Sequence, residues 1–350
     1  MSALPDHSAS PTHAASPTVH LICPVHNGAR FLGEFLHSLA AQTHTDWRLW
    51  VLDDASRDDS AALVRAYAAA DPRVVLLEPT AAPHAGVTSA SATAAPNAPT
   101  PRGAAAAFAW LWDALPPDAD YVMFADQDDV WLPGKIAQAL EAMRAAESEH
   151  AGPVLVHTDA VVVDATLRQI APSFWRYAQI TPEPATLQRF VVHNVVTGNT
   201  VLLNRALRDR VGRIPAAAAM HDWWVACVAA AFGRVVAVPT PSVWYRQHGA
   251  NTVGARDAAL PTTPWALLTL AVHTMTRTAA VRTSIALAAR QAEALLAYYG
   301  HALPLRDQRF LRAYGMLPSR GLLVRKWLLL RLHLRSENGL LRNLGILLRA

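Results

Sequence analysis

Apolar residues in the first third of the chain change their spacing roughly every dozen positions. Residues 19–25 form a short apolar run closed by Pro24 and the Asn27-Gly28 turn, which predicts a strand followed by a turn. Across 31–41, Phe31, Phe35, Leu36 and Leu39 recur at helical spacing. Residues 47–52 read as a second strand that ends at Asp53-Asp54. Ser60 opens a helix to about Tyr67, and 74–77 make a third strand. Such alternation of short strands with helices predicts an α/β fold with a mostly parallel sheet flanked by helices.

The pattern breaks at 80–101, an Ala/Pro/Thr/Ser stretch without core periodicity that reads as a surface insertion. A strand at 121–124 follows, and further strands are predicted at 154–156, 161–163, 201–203 and 235–238. Helix dominates after about residue 260. Residues 1–18 have no periodicity and read as a disordered leader, so the expected organisation is leader, catalytic domain at 19–255 and helical region at 256–350.

Composition narrows the class. Hydrophobic residues make up 52% and charged residues 17% of 350 positions, as in a folded globular protein. The net charge is only +4, yet the acidic pairs sit in the first 130 residues and basic residues gather near the C-terminus. That asymmetry implies a carboxylate-based centre and a separate cationic surface. Cys23 and Cys227 lie in apolar stretches and imply no disulfide framework. Asp6 and His7 stand where a secretion signal needs a basic segment before an apolar run. The longest uncharged stretch, 258–276, is interrupted by Pro261, Pro264 and His273, so no membrane span is expected. These features predict a cytoplasmic protein.

Ligands of doubly wound sheets sit at the carboxyl ends of strands, and both acidic pairs fall there. Asp53-Asp54 follow one strand; Asp126, Asp128 and Asp129 follow another. Three carboxylates in four residues repel one another unless a cation or hydrogen-bond donors compensate them. Hard oxygen ligands of this kind suit Mg²⁺ or Mn²⁺, and a solvated acidic turn is the plain alternative.

Five blocks then carry a resemblance: Cys23-Pro24-Val25-His26-Asn27, Leu52 to Ser60 with its two Asp-Asp pairs, Ala125 to Lys135, His221-Asp222-Trp223-Trp224, and Tyr245 to Asn251. In this order they resemble the family 2 glycosyltransferases of the GT-A fold, especially rhamnosyltransferase-like members, over residues 19–255. The resemblance implies inverting transfer of rhamnose or another hexose from a UDP- or dTDP-sugar to a saccharide or lipid-linked acceptor in cell-surface polysaccharide synthesis. Carried over by position, Pro24 and Val25 lie beside the nucleotide base, and Asp54, with Asp53 next to it, accepts a hydrogen bond from that base. Asp128 becomes the metal ligand, Asp126 lies near the ribose or metal, and Asp129 is a structural neighbour. Asp222 becomes the base that deprotonates the acceptor. Arg246 and Arg102 can neutralise phosphate, and His248 can add a metal ligand. Trp131, Gly198, Asn199 and Trp223 fall on the acceptor side, with core packing the alternative for the tryptophan at 223. Departures are His26, where the family often has Tyr, and Ala107, where an Asn is usual.

As a capping residue, Asp222 would sit at a helix N-terminus, where the dipole is expected to lower its pKa. From 320 to 350, arginines alternate with leucines against the single acid Glu337. Such a segment can lie on an anionic membrane surface, or pack on the catalytic domain or in a dimer interface. It lacks the interleaved aromatics of a nucleic-acid surface. Two rivals to the transferase remain. One is a pyrophosphorylase-like nucleotide-sugar enzyme, which would need a Gly-rich phosphate loop near the N-terminus. The other is a non-catalytic nucleotide-sugar-binding protein on the same fold.

Overall fold

A computed structural model describes residues 17–77, 100–249 and 278–321, together with Val324 and Trp327. The leader to residue 16, the insertion over 78–99, the expected boundary at 255/256 and nearly all of the basic tail lie outside the described residues.

The chain opens with β1 (Val19–Val25), α1 (Ala29–Ala40), β2 (Trp47–Asp53), α2 (Ser60–Ala70) and β3 (Val74–Leu77). After the undescribed stretch come α3 (Ala104–Ala114), β4 (Tyr121–Phe124), β5 (Val130–Trp131), α4 (Lys135–Glu149), β6 (Val154–Asp164) and β7 (Gln169–Ala171). Then follow α5 (Phe174–Tyr177), α6 (Leu187–Val192), a 3₁₀ turn at Gly198–Thr200, β8 (Val201–Asn204), α7 (Arg205–Val211), α8 (His221–Phe232) and β9 (Arg234–Gln247). Two further helices, α9 (Thr278–Tyr299) and α10 (Leu305–Gly315), complete the described chain.

One sheet runs in the order β3-β2-β1-β4-β8-β6-β9-β5, with β7 paired to β6. Its first four strands are parallel, as the strand–helix alternation predicts. Beyond β4 the sheet is mixed: β8 runs antiparallel to both β4 and β6, and β5 antiparallel to β9, while β6 and β9 are parallel. The expectation of a mostly parallel sheet therefore holds for one half only. The antiparallel pairs β4–β8 and β6–β8 join strands separated by long connections, so their direction follows from tertiary placement and not from loop length. The two strands predicted at 154–156 and 161–163 are one strand, β6, whose register against β9 shifts at Thr158 and Asp159.

The sheet is buried on both faces, which explains the near-continuous apolar runs of its central strands. Along β1, Ile22 packs into one core with Phe108, Trp112, Phe124 and Trp224, while Leu21 and Cys23 enter the other with Phe35, Ile136 and Met143. The alternation follows from successive side chains pointing to opposite faces. Helices α9 and α10 join the first core through Ala288, Ala292, Phe310 and Leu311. The α9 face is also tied by hydrogen bonds: Ala219 N–H donates to Gln291 Oε1 (3.0 Å) and Tyr299 Oη–H to the Val211 carbonyl (3.0 Å). No helix among the described residues is long and apolar enough to cross a membrane.

Chain order reverses at β1, which has β2 on one side and β4 on the other. Loops leaving these strands diverge there, at the usual ligand position in such sheets. The register sets Val25 opposite Asp53 and Ile22 opposite Phe124, so both acidic loops and residues 26–28 open at the same edge.

Candidate active site

Residues 26–28 are held from two directions. Asn27 adopts φ 48°, a left-handed conformation that Asn tolerates. Its N–H donates to Ser56 Oγ (3.0 Å), and its side-chain oxygen accepts Arg57 N–H (2.8 Å). Gly28 N–H donates to Ser60 Oγ (2.8 Å) and Ala29 N–H to Asp58 Oδ2 (3.0 Å). On the other side, Gln127 pairs its amide with the backbone of His26, accepting from N–H (2.9 Å) and donating to C=O (3.0 Å). A Cβ at position 28 would lie 2.1 Å from Gln127 Oε1, so this approach requires glycine. Sequence reading missed Gln127, Ser56 and Asp58 as organising residues. The available signal was their place inside the two acidic blocks.

Asp54 is buried and already satisfied. Its carboxylate accepts the backbone N–H groups of Arg102 (2.9 Å) and Gly103 (3.0 Å), and Arg102 Nη1 stands 3.8 Å away. It thereby anchors the start of α3, where Gly103 takes φ 82°. Asp53 accepts Ser56 N–H through Oδ2 and keeps a buried Oδ1 without a partner. Of the two acids expected beside the nucleotide base, it is Asp53 and not Asp54 that retains an open acceptor. Pro24 and Val25 border the same edge at the end of β1.

The second acidic loop is electrostatically loaded. Burial, then repulsion from Asp128 and Asp222, pushes Asp126 well above the usual carboxylate range. Burial, then repulsion from Asp128 and Asp126, raises Asp129. Asp128 faces outward and meets His248, whose Nε2 lies 2.8 Å from Oδ2 at side-chain exposures of 13% and 16%. Oxygen and imidazole donors side by side, next to carboxylates that repel one another, fit Mg²⁺ or Mn²⁺. Among the described residues no three His, Cys, Asp or Glu side chains form a complete cage. Two protein ligands with room for phosphate oxygens is how Mg²⁺ is commonly bound.

Arg246 does not face this opening. It is 1% exposed, and its guanidinium is committed to the Asp128 carbonyl (2.7 Å), the Ala165 carbonyl (2.8 Å) and the Glu34 carboxylate. The expected phosphate contact is replaced by a grip on the acidic loop from below. Arg102, a third exposed in its side chain, stays at the edge where the loops diverge.

Asp222 lies in the first turn of α8, which starts at His221 rather than at Trp223, and the turn has no side-chain cap. Burial pushes its pKa up to about 6, only partly offset by hydrogen bonds from Trp223 N–H (2.6 Å), the Asn194 side chain and Gly198 N–H. The expected lowering by the helix terminus is overturned because desolvation of a buried carboxylate exceeds the dipole contribution. Asn194 escaped sequence reading.

The residues expected on the acceptor side scatter. Gly198 abuts Asp222; a Cβ there would come within 3.4 Å of the Asp222 Cβ. Asn199 is buried and donates from Nδ2 to Asp129. Trp131 is 2% exposed and packs edge-on against Phe35 with Lys135 over its ring, so it offers no face to a ligand. Trp223 donates from Nε1 to the Phe190 carbonyl and packs on the core.

Residues 21–85 match the model for glycosyl transferase family 2. Over these residues the chain is similar to that family. The matched stretch covers both the residue 26–28 turn and the first acidic loop. A Bacillus subtilis (strain 168) protein described as "Putative teichuronic acid biosynthesis glycosyltransferase TuaG" is 24% identical over 200 residues. That match spans 56% of this chain and 64% of the relative's own length. Among solved structures, the mannosyltransferase PcManGT from Pyrobaculum calidifontis, in complex with GDP-Man and Mn²⁺, is 18% identical with a TM-score of 0.51, over 92% of this chain and 74% of that one. S. aureus TarS 1–349 in complex with UDP-GlcNAc is 16% identical with a TM-score of 0.49, over 94% and 89%. The likeness to the mannosyltransferase establishes the GT-A fold.

Proposed function

We propose that this chain transfers a sugar, with inversion, from a UDP- or dTDP-sugar to a hydroxyl of a saccharide or lipid-linked acceptor in cell-surface polysaccharide synthesis. The single observation that carries the reading is the meeting of the Asp128–His248 pair and Asp222 across the switch point of a family 2 domain. Asp222 is close enough to repel Asp126. The acceptor oxygen attacks the anomeric carbon, the bond from that carbon to the diphosphate oxygen breaks, and the acceptor proton passes to Asp222. The nucleoside diphosphate leaves on the opposite face. A base with a pKa near 6 is ionised at neutral pH, yet basic enough to take a proton as the new bond forms. Asp128 and His248 would hold the divalent ion, with Asp126 beside them, and as a Lewis acid the ion would stabilise charge on the departing diphosphate. Asp53, with its buried Oδ1 unpartnered among the described residues, is the acid we assign to the base, and Arg102 lies at the same edge. Rhamnose stays one candidate donor sugar among the hexoses.

The protein named for teichuronic acid biosynthesis supports a cell-surface polysaccharide as the product class. Attachment to the inner face of the cytoplasmic membrane fits the outer side of α10, where Arg306, Arg309 and Arg312 are exposed beside Leu305 and the only acid, Asp307, is engaged by Gln188. Vesicle flotation checks it: the full chain should float with anionic liposomes, and the Arg306→Glu/Arg309→Glu/Arg312→Glu variant should float less.

The reading is tested by hydrolysis and transfer with a panel of nucleotide sugars and Mn²⁺ or Mg²⁺. Asp222→Asn should keep Mn²⁺-dependent nucleotide binding and lose about 10²- to 10⁴-fold in kcat. Because the ionised form is the active one, the wild-type rate should rise with pH through about 6, and this acid limb should vanish in the variant. A substantially active Asp222→Asn enzyme would refute the base assignment.

A further inference from the structure

A buried polar seam runs beneath the acidic loop and reaches Asp222 from behind. At its centre is Asp129, 1% exposed. One of its oxygens accepts the backbone N–H of Arg246 (2.8 Å), and the other accepts Nδ2–H of Asn199. Asn199 is held in turn by Lys135, whose buried ammonium donates to the Asn199 carbonyl (2.7 Å) and reaches Ser242 Oγ (3.3 Å). Thr158 and Ser242 close the seam with a 2.6 Å hydroxyl contact.

Three segments far apart in sequence therefore meet at one carboxylate, and each continues directly into the candidate site. The loop after β4 carries Asp128. The turn at Gly198–Thr200 supplies Gly198 N–H to Asp222. The end of β9 leads to His248, 2.8 Å from Asp128. Burying a carboxylate, an amide and an ammonium together is costly, and apolar side chains of similar volume would fill the space at lower cost. What an apolar pair would not provide is a fixed separation between the two sides of the site.

We propose that the Asp129–Asn199 pair is a positioning device that sets the distance from Asp222 to the Asp128–His248 pair. It rests on the reading of Asp222 as the base. Neither residue touches the reacting atoms. Their effect passes through Gly198, which holds Asp222, and through the β9 end, which holds His248. Catalysis is sensitive to such geometry, since a displacement of about 1 Å can cost on the order of a hundredfold in rate.

Exchange of the two side chains tests the proposal. In Asp129→Asn the remaining oxygen is needed by Arg246 N–H, so an NH₂ group faces the NH₂ of Asn199. In Asn199→Asp two carboxylates face each other. The double variant Asp129→Asn/Asn199→Asp restores one donor and one acceptor with no change in total charge. Each single substitution should lower kcat by about ten- to a hundredfold, with the donor KM and Mn²⁺-dependent nucleotide affinity held within about twofold. The double variant should regain most of that loss. No recovery in a folded double variant, or nucleotide affinity falling in step with kcat, would overturn it. Hydrogen exchange supplies a readout that needs no donor: amides at 198–201 should lose protection in Asp129→Asn and regain it in the double variant. If the wild type binds no nucleotide with Mn²⁺, the functional reading fails, and the link still stands or falls on that exchange pattern. Unchanged protection in the single variant would sink it.

Discussion

Asp53 and Asp54 follow β2, while Asp126, Asp128 and Asp129 follow β4, and the two strands flank β1 on either side. In sequence both are acidic turns at strand ends. In the fold their carboxylates meet opposite conditions. Asp54 receives two backbone N–H groups and the edge of a guanidinium, so its charge is compensated within the protein. Asp126 has burial and two like charges around it, with buried Lys135 opposing them. The first loop is a finished structural joint that leaves one oxygen of Asp53 open. In the second, the proposed divalent ion would supply the missing compensation. Charge clusters therefore point to a ligand only where the fold withholds the donors that would otherwise neutralise them.

The contrast can be broken by substitution. The largest effect is expected at Asp128: Asp128→Ala should abolish the Mn²⁺-dependent part of nucleotide affinity, measured by calorimetry with and without metal. Equal affinities for wild type and variant would remove this residue from the metal site. Smaller and opposite effects on stability should separate Asp54 from Asp126. Asp54→Ala strands two buried N–H groups and should destabilise the protein by about 1–3 kcal/mol. Asp126→Asn relieves repulsion and should stabilise the metal-free protein by on the order of 1 kcal/mol. Denaturant melts in EDTA decide it, and a shift of the same sign in both variants would dissolve the distinction. The smallest effect is expected where the loops touch. Gly28→Ala forces Gln127 away from His26, and the same lock is lost in Gln127→Ala. Combining them should cost little more than either alone, read as a several-fold rise in donor KM, about 1 kcal/mol. Additive losses would mean that the two residues act separately.

Local rules reached far into the first half of the chain and less far into the second. Strands β1, β2, β3 and β4 were legible because each is a short apolar run beside a helix of matching period, and parallel pairing follows from that alternation. The antiparallel insertion of β8 between β4 and β6 was not, because the order of strands in a mixed sheet depends on contacts between distant segments. The continuous β6 was read as two strands, since His157, Thr158 and Asp159 interrupt its apolar run although all three are buried. Motif position points to Asp128, His248 and Asp222; the structure brings His248 against Asp128 and sets Asp222 near Asp126. It did not find Gln127, Asn194 or Lys135, whose roles consist of hydrogen bonds to backbone groups or side chains more than 25 positions away.

What the sequence determined by itself is the kind of chemistry at each strand end, because residue type and alternation are local properties. What only the tertiary structure decided is which of these groups carries an uncompensated charge. Arg246 looked like a phosphate ligand and became a buried clamp; Asp54 looked like a base contact and became an anchor for α3. Asp222 stood where a dipole lowers a pKa, and burial raised it instead. Each reversal has the same physical origin. The strength of a charge or a hydrogen bond depends on how much water the surrounding fold removes, and that is fixed by side chains remote in sequence.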